Sequence, residues 1–465
     1  MTVLRKTQGL AGAAVAALLL WTGAAPALAE TIEGALIRAY QNNPQLNAQR
    51  ASVRSTDENV PQALSGYRPK IAVTASAGGQ YSDTRSRNAP GQPIQALDGS
   101  NAPRSVGGTI TQTLYNGNQT ANRTRAAESQ VSAAREGLRV LEQSVLLAAS
   151  TIYMDYLRDS AIVEVQRSNT RVLEQTLKQT QDRFNVGEVT RTDVAQSEAQ
   201  LAAGRTQLLT AESNLTTTRA NYRRIIGNDP VSLAPGSPVD RFLPATLATS
   251  INTGLIENPN VTAAMYGIDV SYLQVKINEG ALFPTVTLQG SVQQAWDSTL
   301  QLPRSFNASA TAQVVVPIYQ GGAEYALIRQ SKESLAQQRL NLDLVRDQTR
   351  ATIAQAWGQL IAGRSQVASA QAQVTASEIA LNGVREEARV GQRTTLDVLN
   401  AQQALVNARV ALVTAQHDRV VASYAVLNAV GRLSPLTLKL RTSVYDPNVH
   451  YQQVRDSWGG IRTPD

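Results

Sequence analysis

The sequence predicts a mainly α fold with a smaller β part. It is laid out as two tandem copies of one plan, each supplying long antiparallel coiled-coil helices and two of the chain's four β-strands. Three observations predict it. The stretch Phe184–Val194, Phe-Asn-Val-Gly-Glu-Val-Thr-Arg-Thr-Asp-Val, returns at 388–398 as Ala-Arg-Val-Gly-Gln-Arg-Thr-Thr-Leu-Asp-Val, at an offset of 204. Long Ala- and Gln-rich runs with apolar residues every seven positions flank both copies. Four shorter runs switch to an alternation of period two.

Residues 1–29 read as an export leader. Arg5 and Lys6 form a positive start, Leu10–Leu20 an apolar stretch, and Ala27-Leu28-Ala29 a small-residue cleavage site. The apolar stretch is too short for a membrane-spanning helix, which takes about 20 residues. The mature chain is expected to start at Glu30, with no later apolar run long enough to span a bilayer as a helix. Losing the two leader bases lowers the net charge from +7 to +5, too small to argue for a nucleic-acid partner. The absence of cysteine excludes disulfides, thiolate metal sites, a Cys nucleophile and lipid attachment at an N-terminal Cys. Aromatic residues make up only 5% of the chain, which suits long helices packed through Ala, Val and Leu.

The first copy, residues 30–247, opens with a helical segment at about 31–66. A β-hairpin over 70–115, a long helix over 120–185, a return helix over 191–226 and a Pro-rich connector over 228–247 follow. The second copy, 248–431, repeats this with a helical segment at about 247–281, a hairpin over 284–318 and helices over 322–389 and 395–430. Asn43-Pro44-x-Leu46 and Asn258-Pro259-x-Val261 mark matching points near the two starts. Residues 432–465 form an irregular tail with a brief β-like alternation at Leu436, Leu438 and Leu440.

In the hairpins, Ala308, Ala310, Ala312 and Val314 alternate with Asn307, Ser309, Thr311 and Gln313, giving one apolar and one polar face. A lipid-facing β-barrel with a wet lumen needs that pattern. A pair of soluble hairpins, each with one buried face, also satisfies it. On the first long helix Val131, Leu138, Val145 and Ile152 recur every seven residues, with Ala134, Leu141 and Ala148 three positions later. The return helices carry Leu201, Leu208, Leu215 and Tyr222, and Leu399, Val406, Val413, Val420 and Leu427. Apolar stripes on two flanks call for neighbours on both sides, as in the wall of a cylinder. At each hairpin tip Gly187 or Gly391 ends a helix in the left-handed conformation, and Thr190-x-x-Asp193 or Thr394-x-x-Asp397 opens the next as a capping box.

Phe184-Asn-Val-Gly with Thr192-Asp193-Val194, Arg389-Val390-Gly391-Gln392-Arg393-Thr394 with Leu396-Asp397-Val398-Leu399, and Val316-Pro317-Ile318-Tyr319-Gln320-Gly321-Gly322 complete the pattern. With these residues, over about 31–431, the chain resembles the TolC family of outer-membrane efflux and secretion channels, in its unlipidated branch. The resemblance implies a homotrimer in the outer membrane of a Gram-negative bacterium. Four strands per chain would build one 12-stranded barrel in outer-membrane lipid, above a long periplasmic α-helical barrel. The inter-strand loops, about 82–104 and 297–305, would lie outside the cell, and the tail near the equator of the tunnel. The partners implied are a periplasmic adaptor protein and an inner-membrane ABC or proton-driven transporter.

From the sequence alone Asp193 and Asp397 read first as helix caps; the resemblance implies that they also line the periplasmic gate, a role compatible with capping. Asn400 stands where some relatives carry a second acidic ring. Arg393 matches a basic latch position whose usual tyrosine partner is replaced by Ala388. Val186, Gly187, Thr190, Val390, Gly391 and Thr394 match the adaptor-docking tip, or serve only as turn residues.

Enzyme readings find no support: no Gly-rich phosphate loop, nucleophile elbow or metal-spaced His set occurs, so no cofactor is expected. Of the two histidines, His417 is expected at a surface or interface. The function expected is a passive exit duct for secreted proteins, small toxic molecules or both. The alternative is a coiled-coil envelope protein acting as a periplasmic spacer or tether.

Overall fold

A computed structural model of the protein describes residues 29–87 and 90–463. Apart from Ala29, the expected leader lies outside the described residues. The chain runs through α1 (Ile32–Asn42), α2 (Pro44–Asp57) and α3 (Asn59–Leu64) into β1 (Lys70–Ala77), β2 (Gln80–Ser86), β3 (Gln95–Asn101) and β4 (Arg104–Asn116). The first helical hairpin follows, α4 (Gln119–Asn185) and α5 (Arg191–Ile226). The second copy comprises α6 (Leu247–Glu257), α7 (Pro259–Gly280), β5 (Thr285–Thr299), β6 (Leu302–Val315), α8 (Ala323–Arg389) and α9 (Thr395–Val430). A last helix, α10 (Asn448–Val454), lies in the tail.

The opening segments expected as single helices are each broken, at Asn43 and Asn258. Pro44 and Pro259 take the first position of the next helix, where a missing N–H costs nothing. Asn43 Oδ1 accepts from the Gln45 N–H at 2.9 Å, and Asn258 Oδ1 from the Asn260 N–H at 2.9 Å. The same side chains donate across the fold, Asn43 Nδ2 to the Ile225 carbonyl at 3.3 Å and Asn258 Nδ2 to the Ala429 carbonyl at 2.8 Å. Each break therefore docks the start of a copy onto the end of its return helix.

Strands β1, β4, β5 and β6 form one antiparallel sheet in the order β1-β4-β5-β6, leaving β1 and β6 as its edges. Register places Ile71, Ile110, Gly290 and Ala310 in one row and Ala72, Thr109, Ser291 and Ser309 in the next. One face is thus apolar. The other is hydroxylated, with Ser76 paired to Ser105 and Ser291 to Ser309, both at 2.8 Å. The loop expected at 82–104 is largely a two-stranded ribbon of β2 and β3. Its sequence is polar on both faces, so no apolar alternation announced it. The loop expected at 297–305 shrinks to a tight turn between Thr299 and Leu302.

Both long helices run 67 residues, which at about 1.5 Å per residue is on the order of 100 Å. The seven-residue stripe of α4 is buried: Val131, Leu138 and Val145 are each under 5% exposed. It packs on α5 and α9 towards the tips and on α7 towards the sheet, while α8 packs on α9 and α7. The largest apolar cluster lies at mid-length, where α1 and α4 meet Tyr222, Tyr424 and Leu427 of the return helices.

The tail completes that cluster. Leu436–Leu440 is a turn, not a strand: Lys439 adopts φ 54°, Leu438 is buried and Leu436 is exposed. Beyond it α10 packs on α2. His450 Nδ1 lies 3.1 Å from Asp57 Oδ2, and Arg135 of α4 stacks on Tyr451 and donates to Asn448 Oδ1 at 2.7 Å. Asp57 is fully buried, and that burial pushes its carboxyl pKa up.

Candidate functional site

Two regions are built for contact with something outside the chain: the apolar face of the sheet and the paired helix tips. No described helix is long and apolar enough to cross a membrane. The sheet's apolar face leaves Ile71, Val73, Val292 and Phe306 exposed, at 73%, 79%, 51% and 64%. On β5 this face runs from Val286 to Trp296. Ten steps at about 3.4 Å give about 34 Å along the strand, or about 26 Å of height at a barrel tilt of about 40°. That matches the apolar band of about 25 Å on outer-membrane barrels. Four strands are too few to close a transmembrane barrel, for which eight is the usual minimum.

At the opposite end each helical hairpin turns in a few residues. The Gly187 N–H donates to the Phe184 carbonyl and the Glu188 N–H to the Arg183 carbonyl, at 3.0 and 2.9 Å. Gly391 and Gln392 repeat this on Ala388 and Glu387, at 3.2 and 2.9 Å. This crossed pair of bonds requires a left-handed residue, which both glycines supply at φ 81° and 79°.

Thr190 and Thr394 then open the return helices as capping boxes. Asp193 Oδ2 accepts from the Thr190 hydroxyl at 2.7 Å and its N–H at 2.9 Å. These bonds, the hydroxyl's first, hold the Asp193 carboxyl below the usual range. Asp397 Oδ2 accepts from the Thr394 N–H at 3.0 Å and hydroxyl at 2.9 Å, and its pKa is lowered likewise, the backbone bond contributing most. Both carboxylates are ionised at neutral pH and sit on the first turn of a helix, where negative charge is favoured. The capping role is thus present in full.

A cleft of about 790 Å³ separates the two tips. Thr190, Asp193, Gly391, Arg393 and Thr394 line it, whereas Val186, Gly187, Val390, Asp397 and Asn400 lie outside its lining. Val186 and Val390 are exposed instead at the turns themselves, at 73% and 67%. Arg393 pairs with Glu387 of its own hairpin at 2.8 Å, a partner that sequence reasoning missed. At the first tip Arg183 pairs with Glu188 at 3.0 Å. Arg183 and Glu387 occupy the same repeat position, so the two tips carry ion pairs of inverted polarity. The offset of 204 contained that signal.

Above the tips a buried polar seam joins the hairpins. Arg385 donates to Gln402 Oε1 at 2.9 Å, and Gln402 donates to Asn169 Oδ1 at 3.2 Å, linking α8, α9 and α4. Farther along, Thr218 donates to Asp159 Oδ2 at 2.6 Å. His417 of α9 lies buried with Nε2 2.9 Å from Asp155 and Nδ1 2.8 Å from Asp418. Burial alone would lower the His417 pKa, but the two carboxylates outweigh it and raise it.

An apolar-faced sheet sized for a bilayer, carried on hairpins about 100 Å long with polar tips, defines a subunit of an outer-membrane channel. The chain belongs to the outer membrane efflux protein family, whose profile matches residues 35–228 and 251–432. It is 42% identical to the outer membrane efflux protein BepC of Brucella suis, over all of this chain and 99% of that protein. It is 27% identical to the outer membrane protein TolC of Vibrio cholerae, over 87% and 92% of the two chains. Its fold superposes on the Campylobacter jejuni CmeC outer membrane channel with a TM-score of 0.76 at 17% identity, covering 91% of this chain and 89% of that one. The protein is therefore an outer-membrane export channel of a Gram-negative envelope, which sets aside the spacer alternative.

Proposed function

We propose that three copies of the chain form one exit duct. Their sheets close a 12-stranded barrel in outer-membrane lipid, and their hairpins extend into the periplasm to meet an adaptor protein and an inner-membrane transporter. The observation that carries this is the open sheet: an apolar outer face, a hydroxylated inner face and two unpaired edges fit only partners offering the same. The duct performs no chemistry and holds no cofactor. Both cargo classes fit it, since the chain is 22% identical to the alkaline protease secretion protein AprF and 25% identical to the pyoverdine export outer membrane protein OpmQ, both of Pseudomonas aeruginosa.

The tips form the entrance. Asp193 and Asp397 place up to six carboxylates around the threefold axis, a ring that favours cations. Asn400 leaves the next ring uncharged, and Arg393, held by Glu387, latches a tip within its own chain. Val186, Gly187, Thr190, Val390, Gly391 and Thr394 offer the adaptor exposed valines and open backbone.

Because the chain lacks cysteine, a single Cys at Glu188 or Gln392 tests this directly. A short thiol-reactive crosslinker in living cells is expected to trap a periplasmic adaptor at either position. An adaptor of an ABC secretion system assigns protein export, and one of a proton-driven pump assigns small-molecule efflux. Trapping no inner-membrane-anchored partner at either tip would refute the docking assignment.

A further inference from the structure

The segment after α10 turns up the outside of the molecule towards the sheet. Trp458 stacks on the Arg68 guanidinium, 4.7 Å from ring centroid to Cζ, and Arg68 also donates to the Ser457 carbonyl. Arg68 lies two residues before β1, so the indole is held at the level where helices give way to strands. It is 75% exposed, and Ile461 three residues on is fully exposed. A Trp pinned in this way in the open, with an exposed Ile three residues on, is unexplained by any packing within the chain.

Their neighbours at that level supply the explanation. Tyr67 is 51% exposed, Phe283 just before β5 is 52%, and Tyr319 just after β6 is 74%. Tyr115 at the end of β4 adds a fourth ring, 39% exposed. Together these aromatics rim the sheet's lower end as Trp296 and Phe306 rim its upper end. Aromatic residues collect at both borders of a membrane's hydrocarbon because they bridge an apolar interior and a polar surface. Indole is the side chain best suited to that border, and a guanidinium beside it suits phospholipid phosphate.

We propose that Trp458 and Ile461 insert into the phospholipid headgroup region of the outer membrane's periplasmic leaflet. The chain's C-terminal end is then a membrane anchor joined to the barrel's lower aromatic rim through Arg68. This rests on the outer-membrane reading above. It gives the tail a role distinct from the packing of α10, namely fixing the depth at which the helical part hangs below the bilayer.

The test uses full-length protein reconstituted into phosphatidylethanolamine vesicles whose acyl chains carry bromine near the headgroup, a contact quencher of indole. One variant keeps only Trp458 in the mature chain, with Trp296 and Trp357 changed to Phe. A second keeps only Trp296, on the upper border of the sheet. Loss of Trp458 emission comparable with that of Trp296, relative to unbrominated vesicles, is the expected result. It should vanish with Arg68→Ala, which frees the tail without touching a strand. Quenching of Trp296 but not of Trp458 overturns the anchor and leaves the channel standing. Blue-shifted, unquenched Trp458 emission also overturns it, since the indole would then be covered by another copy of the chain. Quenching of neither overturns both readings.

Discussion

Gly431 and Gly227 end the two return helices at equivalent repeat positions, and their surroundings make a controlled experiment. Both adopt the left-handed conformation, at φ 90° and 98°. Giving such a residue a Cβ costs roughly 1–2 kcal/mol from backbone sterics alone. At Gly227 a methyl would meet nothing within 4 Å. At Gly431 it would meet Asn258 Cα at 2.6 Å, Pro259 Cδ at 2.9 Å and the Glu257 carbonyl at 3.0 Å, all backbone or ring atoms that cannot swing aside. Overpacking of that kind adds roughly 1–3 kcal/mol. Gly227→Ala is therefore expected to destabilise by about 1–2 kcal/mol and Gly431→Ala by about 2–5 kcal/mol. The assay is thermal loss of helical circular dichroism in detergent, at matched protein concentration because subunit association shifts midpoints. Equal losses from the two substitutions would refute the argument that the Asn258–Pro259 break is clamped onto Gly431. No loss from either would refute the constraint on φ.

Asp193→Ala combined with Asp397→Ala is expected to raise conductance and lower cation preference in planar bilayers. Thr190→Ala with Thr394→Ala removes the caps, at about 1 kcal/mol per helix, but keeps the charges and should leave selectivity intact; identical recordings from both variants would reduce the aspartates to caps. The raised pKa of His417 predicts stabilisation that is full below its unfolded value of about 6.5 and lost as pH rises through the folded value. The stability gap between the native protein and His417→Asn should accordingly be wide at pH 5.5 and narrow at pH 8.5. Ile353→Ala empties a fully buried site and should cost about 2–5 kcal/mol. Because a methyl on Gly254 would collide with the Ile353 side chain, Gly254→Ala should harm the native protein yet recover part of the loss in Ile353→Ala, a sign change that midpoint shifts would reveal.

What the sequence made legible was local. Capping boxes and left-handed glycines are decided within five residues, so the expected ends at 185, 191, 389 and 395 coincide with those of α4, α5, α8 and α9. The heptad stripes gave the helical wall, because Val131 and its successors repeat at the spacing that buries them. What stayed hidden depends on distant partners. The breaks at Asn43 and Asn258 look like helix punctuation until Ile225 and Ala429 arrive to accept their amides. The alternation of Leu436, Leu438 and Leu440 has a strand's period, yet the buried core of α1 and α9 takes Leu438 into a turn. In the candidate site the aspartates and glycines were readable from the doubled tip. Gln402 and Asn169 carried no local motif and emerge only where the two hairpins meet.

The two bare edges of the sheet dictate an order of events during biogenesis. Each of β1 and β6 presents a row of unsatisfied peptide groups on one side, and inside hydrocarbon each such group costs several kcal/mol. A lone subunit thus has no stable place in the bilayer, and in water its exposed strands invite pairing with any other chain. In the trimer proposed above, recruitment of sister chains precedes insertion or accompanies it. The subunit on its own is a precursor whose lifetime in the periplasm has to be short or guarded.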